Sequence, residues 1–149
     1  MNDNKTIEQT EEEIIDAFSL FDAWEEKYEY IIDLGKKLPP LGEKYKVAEN
    51  IIKGCQSTVW LATDFNDGKV LFKADSDAVI VKGLVSMLIS VLSGHTPGEI
   101  LGAKLDFLNE IGMMNHLAQT RSNGLLAMIK QMKNYAVVYA SVKETEKII

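Results

Sequence analysis

Reactive side chains are few. The sequence holds one cysteine, Cys55, and two histidines, His95 and His116. Cysteine supplies a thiolate, the form that attacks sulfur and binds metals. A structural zinc site takes roughly four Cys or His ligands, and these residues, strung from position 55 to 116, do not supply them. There is no Gly-x-Gly-x-x-Gly or Walker loop to cradle phosphates and no Gly-x-Ser-x-Gly elbow. The carboxylates fall mostly on predicted solvated helix faces. That leaves Cys55, set in Lys53-Gly54-Cys55-Gln56-Ser57. A polar, glycine-bearing turn can lift a thiol off the core. A free cysteine is equally at home as a small buried hydrophobe, and residue counting alone favours that plainer role. Lys53 would favour the thiolate if its ammonium came close, since positive charge lowers a thiol's pKa.

The elements around this turn follow from hydrophobic period. Residues 7–21 place Ile14, Ile15, Phe18 and Phe21 at helical spacing, opposite Glu11, Glu12, Glu13 and Asp16. A second helix runs from Trp24 to about Lys37, until Leu38-Pro39-Pro40 stops it. The period then changes to two. Val59, Leu61, Thr63 and Phe65 alternate along one run, and Val70, Phe72 and Ala74 along the next. Asn66-Asp67-Gly68-Lys69 between them reads as a hairpin turn. A third strand is expected around residues 47–52, since a lone hairpin is marginal in water. Asp75-Ser76-Asp77 offers N-caps for an apolar helix over 78–92, which carries Lys82, Ser86 and Ser90 as a polar stripe and stops at Gly94. Thr96-Pro97-Gly98-Glu99 is a capping box that opens a short helix. The last helix spans about 121–140, with Leu125, Met128, Ile129, Met132, Tyr135, Ala136 and Tyr139 facing inward. The pattern predicts an α+β domain: a small antiparallel sheet of about three strands, covered by helices.

At 149 residues, with 46% hydrophobic and 26% charged residues, the chain suits a single packed domain. Its core is expected at about residues 14–140, with frayed ends. A net charge of −6 disfavours nucleic acid, whose binding requires clustered cations. Residues 78–92 are too short to span a bilayer, which takes about 20 apolar residues. The first ten residues lack the basic and apolar pattern of a secretory signal. The reading is a cytoplasmic protein with no membrane span.

Four separated segments carry a family resemblance. Gly54-Cys55-Gln56-Ser57-x-Val59-Trp60 resembles the active loop of the SufE family, the sulfur acceptors of cysteine desulfurases. Trp24-Glu25-Glu26-Lys27-Tyr28-x-Tyr30-Ile31-Ile32-x-Leu34-Gly35 with Leu38-Pro39 resembles the family's early helix. Asp75-Ser76-Asp77-Ala78-x-Ile80-Val81-Lys82-Gly83-Leu84 resembles the segment after the hairpin. His116-Leu117 and Arg121-Ser122-x-Gly124-Leu125 resemble the entry to the last helix. The family more often has other residues at Ala74, Thr120 and Asn123, positions expected to lie clear of the cysteine loop.

The resemblance implies a fold shared with the IscU-type scaffolds and a persulfide carried on Cys55. Its partners would be a pyridoxal-phosphate cysteine desulfurase of the SufS or CsdA kind and a SufB-like cluster scaffold. This chain would bind no cofactor and no metal of its own, and could be a monomer or a homodimer. Gly54, Gln56 and Ser57 would shape the loop. Arg121 would be a positive group near the thiolate, or a surface residue. Asp75 and Asp77 would be caps, with Asp77 also able to orient the loop, and His116 could bond near it. Two other readings stand beside this one. One is a regulatory module that binds a desulfurase without taking sulfur. The other is a cysteine hydrolase pairing Cys55 with His95 or His116.

Overall fold

The computed structural model describes residues 5–148. Among these residues lie α1 (Ile7–Ser19), α2 (Trp24–Lys36), two 3-10 turns (Glu43–Tyr45 and Ala48–Asn50), β1 (Val59–Asn66) and β2 (Lys69–Ser76). Then follow α3 (Val79–Leu92), α4 (Pro97–Gly102), α5 (Phe107–Glu110), α6 (Met113–His116) and α7 (Gln119–Ile148). The class is α+β.

The apolar helix α3 is the central rod. Leu84, Val85, Met87, Leu88, Val91 and Leu92 are all fully buried along it. Helix α2 crosses it at a contact between glycines. A Cβ built on Gly83 would lie 2.1 Å from the Ile31 carbonyl oxygen, and one on Gly35 would lie 2.8 Å from Gly83 N. The polar stripe of α3 is bonded rather than solvated. Lys82 Nζ lies 3.3 Å from Asp75 Oδ1, Ser86 donates to the Leu34 carbonyl at 2.8 Å, and Ser90 donates to that of Met87 at 2.7 Å.

The hairpin packs its inward face, Val59, Leu61, Val70, Phe72 and Ala74, into the same core. Asn66 pairs with Lys69, while Asp67 and Gly68 adopt φ of 54° and 75°. Two successive positive φ values are what a two-residue type I′ turn requires, and Asp-Gly supplies them at low cost. Beyond the outer edge of β2, Val70 N–H donates to His95 O at 2.8 Å and Gly94 N–H to Val70 O at 2.7 Å.

The third strand does not form. Residues 47–52 make a 3-10 turn and a single bridge, Ile51 to Trp60, and the sheet among the described residues has two strands. Of the β-branched residues in that segment, Val47 and Ile51 are exposed and only Ile52 is buried. Helices, chiefly α3, supply the support a hairpin lacks alone. The core also starts earlier than position 14, because the Thr6–Gln9 capping box starts α1 early enough to bury Ile7. Of the ends expected to fray, residues 1–4 and 149 lie outside the described residues. No helix among the described residues is long and apolar enough to cross a membrane.

Candidate functional site

The cysteine turn is an arch, residues 53–57, tied at both feet. On one side Ile52 N–H donates to Val59 O at 2.9 Å. On the other, Thr58 N–H donates to Asp77 Oδ1 at 3.1 Å, Asp77 N–H donates back to Thr58 O at 3.3 Å, and Ser76 Oγ donates to the same carbonyl at 2.8 Å. Asp77 therefore clamps the arch to the base of β2. It does not cap α3, whose N-cap is Ala78 with no side-chain bond.

Asp75 is not a cap either. Its carboxylate sits 3.1 Å from Lys46 Nζ and 3.3 Å from Lys82 Nζ, and accepts from Ser76 N–H at 2.8 Å. Partial burial works against its charge, but these hydrogen bonds and the nearby ammonium groups outweigh it and hold the carboxyl below its ordinary value. The cap expectation failed because the partners that claim these two carboxylates, Lys46 and Thr58, are distant in sequence.

The arch rests on the first turns of α7. Gly54 has φ of 95°, and a Cβ there would lie 3.2 Å from the Ala127 Cβ. Both its backbone angle and its closeness to the helix call for glycine. Cys55 is half-buried, and its Sγ donates a weak bond to the Gly124 carbonyl at 3.5 Å. A Cβ on Gly124 would reach the sulfur at 3.5 Å, so the bare helix backbone is the thiol's seat. The sequence signal for this seat is a pair of small residues three apart, Gly124 and Ala127, in a helix otherwise rich in long side chains.

The sulfur opens into a cleft of about 330 Å³. Buried Val81 and Met128 line it, together with Gln56, Ser57, Thr120 and Arg121. Thr120 thus stands in the cleft wall, contrary to the expectation that it lies clear of the cysteine. The wall belongs to the N-terminal turn of α7, where backbone N–H groups without helical partners carry partial positive charge. Arg121, the only arginine in the sequence, is exposed in that turn. An anionic sulfur in the cleft would meet positive charge on one side and apolar surface on the other.

Lys53 does not serve the thiolate. It lines a separate groove, and burial is the cause that pushes the Cys55 thiol above its ordinary value. The sign follows directly. With the folded pKa above the unfolded one, the thiol's contribution to stability is full below the unfolded value. It is lost as pH rises through the folded value. Iodoacetamide labelling of Cys55 is therefore expected to rise with pH through a higher midpoint in the folded chain than in urea. Equal midpoints would contradict the buried seat.

Neither histidine lines the cleft. The His116 ring stacks on Trp24 with centroids 3.8 Å apart, and its Nδ1 lies 3.0 Å from the Gly112 carbonyl. The Tyr28 hydroxyl donates to the His116 carbonyl at 2.7 Å. This histidine belongs to the α2–α6 junction, not to the cysteine loop. His95 is buried beside β2, with Nδ1 3.8 Å from Glu99 Oε2. A cysteine hydrolase needs a base within hydrogen-bond reach of the sulfur, and no histidine among the described residues lines that cleft.

Comparison with known proteins shows the family and the fold. Residues 12–136 match the SufE Fe-S metabolism associated domain. An uncharacterized SufE-like protein of Rhizobium meliloti is 42% identical over 130 residues, covering 84% of this chain and 93% of that relative. A second, from Rhizobium etli, is 40% identical over 135 residues, covering 87% and 91%. A third, from Synechocystis, is 38% identical over 136 residues, covering 91% and 86%. Among solved structures, the solution structure of a hypothetical protein from Thermus thermophilus superposes with a TM-score of 0.74 at 19% identity. That match covers 89% of this chain and 96% of the other, and it speaks for the fold.

Proposed function

The chain belongs to the SufE family of the Fe-S metabolism associated domain, and from that premise we propose that it carries sulfane sulfur on Cys55 between a cysteine desulfurase and an iron–sulfur scaffold. The observation that carries this reading is the seat of the thiol: one sulfur, half-buried over Gly124, opening into a cleft with an apolar floor and a positive rim.

The transfer is a thiol–disulfide-type displacement. Cys55 first gives up its proton to solvent or to the docked partner. Its thiolate then attacks the outer sulfur of the donor's cysteine persulfide. A new sulfur–sulfur bond forms on Cys55, the donor's bond breaks, and the donor cysteine leaves as a thiolate. No external oxidant or reductant is consumed. A second displacement hands the outer sulfur to a scaffold of the SufB type.

Rate depends on thiolate fraction, nucleophilicity and access. The raised thiol pKa keeps Cys55 mostly protonated at rest, so ionisation is best coupled to docking. A persulfide is more acidic than a thiol, and Arg121 with the first turn of α7 supports its anion. The lack of a second cysteine protects the carried sulfur from an internal resolving thiol. A working free thiol also suits the reducing cytoplasm, where we place the protein.

The test is to mix the reduced protein with a cysteine desulfurase and L-cysteine, then weigh the intact chain and its peptides. Gain of one sulfur atom on the Cys55 peptide, reversed by a reductant, is expected. An unmodified Cys55 beside an active desulfurase that binds the protein would overturn the carrier.

A further inference from the structure

Charge is segregated along this acidic chain. The sequence holds 22 aspartates and glutamates, yet none lies in residues 50–63 or 111–142. Those two segments contain the arch, β1's first residues and the described part of α7 that packs beneath the arch. They carry Lys53, Arg121, Lys130 and Lys133. Lys133 is spent inward, donating to the Ala103 carbonyl. The other three are exposed.

A second hollow of about 390 Å³ adjoins the arch at Lys53 and shares no lining residue with the cleft. Ala127, on which Gly54 rests, belongs to its wall. Lys53 and Lys130 line it with Gln131, Asn134 and Tyr135, and Ile51 adds an exposed apolar contact. Glu49 is the one carboxylate of the lining. Asn50 is already committed, its amide donating to the Tyr45 carbonyl at 2.8 Å. Two ammonium groups, two side-chain amides and a phenol form a surface suited to carboxylates.

We propose that this groove docks an acidic segment of the sulfur-donating protein, with Lys53 and Lys130 as its charged contacts, so that the partner lies across α7 with its reactive sulfur over Cys55. The inference rests on the carrier reading. The donor is the partner of choice because it brings a negatively charged persulfide, and the adjoining cleft that holds Cys55 is lined by no carboxylate. Charges at the rim of an interface act mainly on encounter and on salt dependence, and exposed pairs are screened beyond about 8 Å at physiological ionic strength.

The experiment uses the full chain with the double variant Lys53→Glu/Lys130→Glu, and Lys37→Glu as an exposed control outside both acid-free segments. Loading of Cys55 by a cysteine desulfurase is followed against carrier concentration and salt. The double reversal is expected to raise the half-saturating concentration about tenfold at low salt, and to flatten the salt dependence. Maximal loading and iodoacetamide labelling of Cys55 should stay as in wild type. Lys53→Gln/Lys130→Gln should fall between.

Unchanged half-saturation in the double reversal, while wild type loads normally, would overturn the docking groove and leave the carrier standing. A defect confined to handing sulfur onward would overturn the assignment to the donor. If no desulfurase loads wild type, the carrier reading fails instead. The groove is then decided by titrating the labelled protein with a hexaglutamate peptide. Backbone amide shifts at Lys53, Lys130 and Asn134 that vanish in the double reversal support it, and their absence overturns it.

Discussion

Cys55→Ser is expected to take up no detectable sulfur from a desulfurase that loads the parent chain, and to fold as the parent does. A serine hydroxyl does not ionise near neutral pH, and an alkoxide is a poor partner for divalent sulfur, so the step that needs a thiolate stops. The substitution is mild for the structure. The new hydroxyl occupies slightly less space in a half-buried seat and can still donate to the Gly124 carbonyl. The stability change should therefore stay within about 1 kcal/mol. Intact mass after incubation with desulfurase and L-cysteine reads the first claim, and thermal melting reads the second. Sulfur gained by the serine variant would end the mechanism. If Cys55→Ala still stimulates the desulfurase fully, the regulatory module becomes the better account.

Gly83→Ala should be the most damaging small substitution in the fold. Helix propensity alone would make alanine better than glycine by about 1 kcal/mol. Here the added carbon would lie 2.1 Å from the Ile31 carbonyl oxygen and 2.7 Å from its carbonyl carbon. These are backbone atoms, so no rotamer change relieves the overlap and α2 must lift away from α3. Overpacking of this kind costs about 1–3 kcal/mol and occasionally more. A clash with backbone belongs at the upper end of that range, so with propensity offsetting about 1 kcal/mol a net loss of about 2 kcal/mol is expected, lowering Tm by about 4–8 °C. Gly98→Ala is the matched control, since nothing lies within 4 Å of a Cβ there. A Gly83→Ala melt at or above the wild-type temperature would refute the packing argument.

The parts of this fold that local chemistry determines were legible in the sequence. Asp67-Gly68 declared its turn because few other residue pairs accept two positive φ values. Thr96-Pro97-Gly98-Glu99 declared a helix start, and both reciprocal bonds of its capping box are present. The apolar run of α3 declared burial. What stayed hidden were choices made by neighbours distant in the chain. Asp75 looked like a cap until Lys46, 29 positions earlier, folded onto it. The segment from Val47 to Ile52 looked like a strand, but the 3-10 turn Ala48–Asn50 leaves it only one bridge, Ile51 to Trp60. Cys55 was found through its loop and its kin. Its seat on Gly124, 69 residues later, was not visible as a seat.

The two tied feet of the arch set a length. Between Ile52 and Thr58 the chain has three residues on either limb of Cys55, counting each foot. An extended backbone spans at most roughly 3.3–3.6 Å per residue. With its feet held, the arch can carry the Cys55 backbone no more than about 10 Å from its anchors. The sulfur thus travels on a short crane with a fixed jib. Under the proposed function, a donor would have to offer its persulfide within that radius of the contact surface, unless the clamp at Asp77 opened first. On the proposed carrier role, the spacing between Ile52 and Thr58 would set how deep a donor's active site this cysteine could serve.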